Sequence, residues 1–231
     1  MTEGVRARRR DDVTRRVLEI GRRHLAEYGA AALSLRAVTR DLGMVSSAVY
    51  RYVANRDELL TLLVVDAYTE LADAVDARLA EIPRAAWDTR IVAVGVEVRE
   101  WALREPARYA LLYGSPVPGY EAPGERTTEP GTRVIGTLVA LVAEGVRVGD
   151  VVDGPTAVPV PRALRVDLSR VRAELGVDLD PAVLGRAVLL WSVLFGAVSL
   201  EVFGQYGTDT FAEPAALFEY QLRLALLTLK G

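Results

Sequence analysis

The chain has 231 residues, 51% hydrophobic and 26% charged, enough to bury a sizeable core in one large domain or in a small domain joined to a medium one. It has no cysteine and one histidine, which excludes disulfides, thiol catalysis and thiolate metal sites and fits a cytoplasmic protein with no metal and no cofactor. The net charge of −3 hides an asymmetry: residues 1–56 carry twelve arginines against six acidic residues, and the rest is acidic, so a basic head that meets a polyanion sits on a body that should repel one.

In chain order, residues 1–10 hold Arg6, Arg8, Arg9 and Arg10 with no apolar period and read as a flexible basic arm, with no apolar signal core behind it. A helix is expected from about Asp11 to Tyr28, with Val13, Val17, Ile20, His24 and Leu25 along one apolar stripe and Gly29 at its end. His24, the lone histidine, reads as structural, because one histidine makes no metal site. Ser34 can cap a helix over 35–42, and Gly43 follows where a left-handed backbone is easiest for glycine. A short helix over 46–52 comes next. Asn55 can cap a long helix from Arg56 to about Ile82.

The remainder predicts helices over 88–104, 106–113, 132–147, 163–175, 181–206 and 210–229. Pro/Gly-rich loops are expected over 115–131 and 149–162. No strand alternation and no internal repeat stand out, so the expected class is all-α. The longest strongly apolar run, 187–200, has fourteen residues, short of the roughly 18 expected of a membrane span, and reads as a buried helix with no membrane partner.

Residues 33–56 have the layout of a helix-turn-helix. Three pieces in register, LSLRAVTRDLG, MVSSAVYRYV and NRDELL, make the first 60 residues resemble the TetR family of bacterial transcription regulators. The run WSVLFGAVSLEVFGQ at 191–205 resembles one actinobacterial-type subgroup of that family's C-terminal domains. Val38 and Thr39 stand where the family commonly has Ile-Ala, and Val53 where it has Phe. Met44 and Val45 make the turn more apolar than usual.

The resemblance implies a three-helix DNA-binding head over 11–58 and a ligand-binding and dimerisation domain over 59–231. It implies a regulator rather than an enzyme, with no catalytic residues. The expected partner is double-stranded DNA. Ser46, Ser47 and Ala48 are small enough for a helix that enters the major groove, and Val49 should face inward onto Val38 and Leu42. Tyr50 and Tyr52 take phosphate contacts by family logic, with half-buried core roles as the alternative. Arg36 is the candidate for a bidentate guanine contact, and Arg51 reaches a base, a phosphate or only solvent. Arg56 sits at a helix N-terminus, where N–H groups attract phosphate.

The helices at 181–206 and 210–229 are apolar nearly all round. They are expected to pair with their copies as a four-helix bundle in a homodimer on a near-palindromic operator. Trp101, Tyr109, Tyr113, Trp191 and Phe195, with Trp87, read either as plain core or as the lining of a pocket for a small hydrophobic or aromatic effector. Glu97, Arg104, Glu201 and Gln205 are possible polar partners. The expected function is a ligand-responsive repressor. The alternatives are a co-regulatory or architectural DNA-binding protein without a small ligand, or an enzyme with an appended head. The last is disfavoured by the absence of a phosphate loop or a suitable acid pair.

Overall fold

A computed structural model describes residues 2–44, 49–154 and 158–230, with side chains from Arg10 onward. The described residues form helices and no strands: α1 Thr2–Tyr28, α2 Leu35–Asp41, α3 Arg56–Ala80, α4 Trp87–Arg104, α5 Pro106–Tyr113, α6 Gly124–Val148, α7 Arg162–Leu175, α8 Pro181–Val202 and α9 Pro214–Lys230. The fold is all-α, as the periodicity predicts.

Caps explain the sharp boundaries. Ser34 Oγ accepts from the Ala37 amide at 3.4 Å, and Gly43 takes φ +67° just past α2. Asn55 Oδ1 accepts from the Glu58 amide at 2.8 Å and starts α3. The expected bounds shift at the C-terminal end, where α8 stops at Val202 rather than 206 and α9 begins at Pro214 rather than 210, and two earlier starts differ more. α1 begins at Thr2 rather than near Asp11, so residues 2–10 share one helix with Val13 and Val17. Arginine is a good helix former, and no strong breaker separates the two stretches. α6 begins at Gly124 and carries Pro130 inside it, so 124–131 is helix where a loop was expected.

The chain divides into two compact units, Met1–Glu70 with Arg104–Gly131, and Leu71–Leu103 with Thr132–Gly231. In the first unit, Val13, Val17, Leu33, Leu35, Val38, Leu42, Val49, Val53, Leu59, Leu60 and Leu63 form one buried cluster. Val49, Val38 and Leu42 thus share a core, as their register predicts. Leu111, Val117 and Tyr120 pack against the same cluster from the later stretch of chain.

In the second unit, α8 and α9 pack on each other and α7 packs on α8. The Trp87 indole N–H donates to the Leu141 carbonyl at 2.6 Å, Arg90 pairs with Glu144 at 2.8 Å, and Arg99 grips Glu201 with two hydrogen bonds. Glu201, a candidate polar partner for a ligand, is therefore engaged by Arg99. Arg186 lies buried inside the apolar stretch of α8. Its guanidinium donates to the carbonyls of Val152 (2.7 Å), Thr228 (3.1 Å) and Gly154 (3.3 Å), which fastens the 152–154 loop to the last turn of α9. Burial lowers its pKa.

Gly145 marks a close approach in this unit. A Cβ there would sit 2.6 Å from the Trp87 ring and 2.6 Å from a Val151 methyl, and the ring is held in place by its bond to Leu141. Gly145→Ala should therefore destabilise the protein by about 1–3 kcal/mol, read as a lower denaturation midpoint with an unchanged slope.

Candidate nucleic-acid interface

The head presents its candidate contacts on a closed core. Arg36, on the first turn of α2, is exposed, and so are Tyr50 (42%) and Arg51, just after the helical Val49. No ion pair ties down Arg36 or Arg51 among the described residues, so both guanidiniums face solvent. Val45–Ala48, which include the expected groove-facing Ser46, Ser47 and Ala48, lie outside the described residues. Tyr52 is half-buried and packs its ring against the head core.

Arg56 has a different local task. Its guanidinium donates to the carbonyls of Ala30 (3.0 Å), Leu33 (3.1 Å) and Ala31 (3.2 Å), so it closes the turn between α1 and α2. That turn leaves carbonyls without helical partners, and a fork of N–H donors satisfies them. Nothing in the local sequence marks this, because the carbonyls lie 23–26 residues away.

Two charged clusters brace the head. His24 is buried, and its Nε2 meets Asp41 Oδ2 at 2.8 Å; the carboxylate accepts, so that nitrogen carries the proton. Arg23 donates to the same oxygen at 2.9 Å, and the two partners hold the Asp41 carboxyl below the usual carboxylate range. This brace between α1 and α2 is present above the ordinary aspartate pKa and is lost as pH falls through the lowered value. The single histidine is thus structural, as its place on the apolar stripe suggests. No group of three or more His, Cys, Asp or Glu among the described residues could hold a metal ion.

The second cluster joins three helices. Arg108 of α5 is 2% exposed and donates to Glu70 at 2.7 Å and Asp66 at 3.0 Å, both on α3. Arg22 of α1 donates to both Asp66 oxygens, from Nε to the Oδ2 that Arg108 shares (2.8 Å) and from Nη2 to Oδ1, and lies 3.4 Å from Glu70. The Asp66 hydrogen bond and the two carboxylates raise the Arg22 pKa. Sequence reasoning missed this cluster, whose hydrogen-bonded pairs are 38–44 residues apart.

The aromatic candidates fall into both units. In the first, Tyr109 is fully buried, its ring 5.1 Å from Tyr113, and Tyr113 meets Tyr68 edge to face at 6.1 Å. Burial pushes the Tyr113 phenol far above its ordinary pKa and raises Tyr68 as well, so both stay protonated at any physiological pH. In the second, Trp101 is fully buried, and Trp191 and Phe195 stack at 4.0 Å on α8.

The outer side of α8 and α9 is apolar and open. Val188, Leu189, Leu200, Leu224 and Leu227 are each 37–59% exposed, and Leu189, Leu200 and Leu224 line a groove of about 520 Å³ together with Ser192, Gly196 and Gln221. Pro181–Val202 is long and apolar enough by composition to cross a membrane, but half of its apolar window is buried inside the fold.

A family model described as Tetracyclin repressor-like, C-terminal domain, matches residues 91–225. The chain belongs to the TetR family. It is 47% identical over 226 residues to HTH-type transcriptional regulator Rv1816 of Mycobacterium tuberculosis, which spans 98% of this chain and 96% of that protein. The regulator Mb1846 of Mycobacterium bovis matches to the same extent. The crystal structure of the regulatory protein SCO4313 superposes with a TM-score of 0.76 at 34% identity, over 95% of this chain and 98% of that one. RolR, solved with resorcinol, shares the fold at 14% identity and a TM-score of 0.55, over 94% and 89% of the two chains. TetR regulators bind DNA and dimerise, and some bind small molecules. This TetR-family chain is accordingly a DNA-binding transcriptional regulator.

Proposed function

We propose that this protein is a cytoplasmic, homodimeric repressor that holds a near-palindromic operator and lets go of it when a small hydrophobic or aromatic effector binds. The observation that carries the reading is the pairing of an exposed Arg36 and Tyr50 on a rigid head with an open apolar face on α8 and α9. One offers readout to DNA, the other a self-complementary surface of the kind an isologous dimer needs. Ser46, Ser47, Ala48 and Arg51 complete the proposed DNA contact, with Tyr52 at its edge and Arg56 holding the turn beneath it.

Two further features support a switch. The Arg22–Asp66–Arg108–Glu70 cluster links α1, α3 and α5, so a shift of α5 against α3 would strain ion pairs that reach into the head. The buried Tyr109 with the half-buried Tyr113 in one unit, and the buried Trp101 and Phe195 with the half-buried Trp191 in the other, supply surfaces for an apolar ring. An effector moves the balance only by its differential affinity for the two states. RolR, a fold relative, was solved with one such ring compound.

Random-site selection with the full-length protein tests the DNA reading. The expected product is a near-palindrome with half-sites one helical turn apart or a multiple of it. A failure to enrich any sequence overturns it. Native mass measurement tests the interface: the wild type should be a dimer and Leu189→Arg with Leu224→Arg a folded monomer. A double variant that stays dimeric moves the interface away from α8 and α9.

A further inference from the structure

The groove on the outer side of α8 and α9 is apolar except for three side chains, Ser192, Tyr206 and Gln221. Ser192 gives its proton to the Val188 carbonyl of its own helix at 2.9 Å and asks for nothing more. Gln221 is different. Its Oε1 is shielded from solvent, and among the described residues it is the one buried side-chain oxygen with no hydrogen-bond partner. A carbonyl in that state has lost its hydration and received nothing in exchange.

The amide stands in the middle of an apolar seam, four residues after Leu217 and three before Leu224, on one side of α9. A turn about its last side-chain bond exchanges oxygen and nitrogen, so both ends come within reach of what fills the groove. The backbone opposite is open to close approach, because a Cβ on Gly196 would meet nothing within 4 Å. The occupant has to be apolar for Leu189, Leu200 and Leu224, and it has to bring both a donor and an acceptor for the amide. A second copy of this face meets all three demands. In an isologous contact a residue on the two-fold axis meets its own copy, and two primary amides close on each other with two hydrogen bonds.

We propose that the two copies meet at Gln221: the two-fold axis passes beside it, and its amide pairs with its own copy across the groove. Gln221 is thereby a positioning residue that sets the register in which the two apolar faces close. A lone polar side chain in an apolar seam fixes register at some cost in stability. The proposal rests on the dimeric reading above and names the point about which the faces close.

The test mixes two full-length variants, Gln221→Glu and Gln221→Lys, one of them carrying a removable tag. Each alone should dimerise about tenfold or more weakly than wild type, because like charges face each other on the axis. Mixed, they should give about nine-tenths heterodimer, where independent pairing gives about one half. Gln221→Leu should dimerise at least as tightly as wild type but in a looser register. The chain has no cysteine of its own, so a spin label on Ala215→Cys, an exposed position, reports one distance between the two copies. That distance should be narrow with Gln221 in place and broad with Gln221→Leu. A statistical mixture, or an equally narrow distance in Gln221→Leu, overturns the proposal. A statistical mixture together with a dimer weakened by Tyr206→Phe overturns it in favour of a bond to Tyr206 of the second copy. A monomeric wild type, or a Leu189→Arg, Leu224→Arg variant that stays dimeric, overturns the dimeric reading itself, before any change at Gln221 is compared.

Discussion

Arg36→Ala combined with Tyr50→Ala should abolish specific operator binding and leave the dimer whole. Arg36 is exposed at the start of α2, with no ion pair to release before it reaches a base. A bidentate contact to guanine discriminates by roughly 1–3 kcal/mol, and a dimer makes it twice. The Arg36 change alone should therefore weaken binding to the selected operator by about thirtyfold to twenty-thousandfold. Loss of Tyr50 removes a phosphate contact and lowers affinity for any sequence. Fluorescence anisotropy on the selected site and on a scrambled duplex separates the two effects. Arg36→Lys, which keeps the charge without the planar fork, should recover non-specific binding and not the preference. If the double variant keeps its preference, Arg36 reads no base.

The second large effect belongs to Arg108. Its replacement by Met takes from Asp66 and Glu70 the guanidinium that bonds to both of them, while Arg22 still holds Asp66. Stranding buried carboxylates costs several kcal/mol. Asp66 is largely shielded, but the Glu70 side chain is 39% exposed and solvent screens it, so about 2–3 kcal/mol is the fair expectation. That corresponds to a fall in Tm of roughly 5–10 °C for a chain of this size. Asp66→Asn with Glu70→Gln in the same background should return most of the loss, because the uncompensated charge disappears. A recovery of that kind separates charge from packing. If Arg108→Met melts like wild type, the cluster contributes nothing.

What the sequence made legible was local. Ser34, Gly43 and Asn55 act within four residues of themselves, so their caps could be read directly, and the apolar positions of α1 and α2 follow helical spacing. The start of α6 was illegible because GERTTEPG combines poor helix formers with a proline. That stretch is held as helix partly by distant partners, Glu58 for Arg126 and the Tyr68 ring, 3.3 Å from where a Cβ on Gly131 would stand. The same limit applies to three arginines. Arg56, Arg108 and Arg186 look alike in sequence, yet one closes a turn, one joins three helices and one is buried among carbonyls. Their partners lie 23–42 residues away, and no spacing rule reaches that far. Arg56 shows the consequence most directly: a position suited to phosphate by its place at a helix start is taken up by backbone.

The buried Arg186 also bears on how the chain survives being cut. Arg162, Arg165 and Arg170 on α7 are exposed, and Leu168 is the buried residue of that helix, so a trypsin-like protease meets accessible bonds there and little anchoring around them. The two pieces made by such a nick should remain joined, because Arg186, downstream of the break, donates to the carbonyls of Val152 and Gly154 upstream of it. A nicked protein therefore migrates as two bands under denaturing conditions and as one species without them.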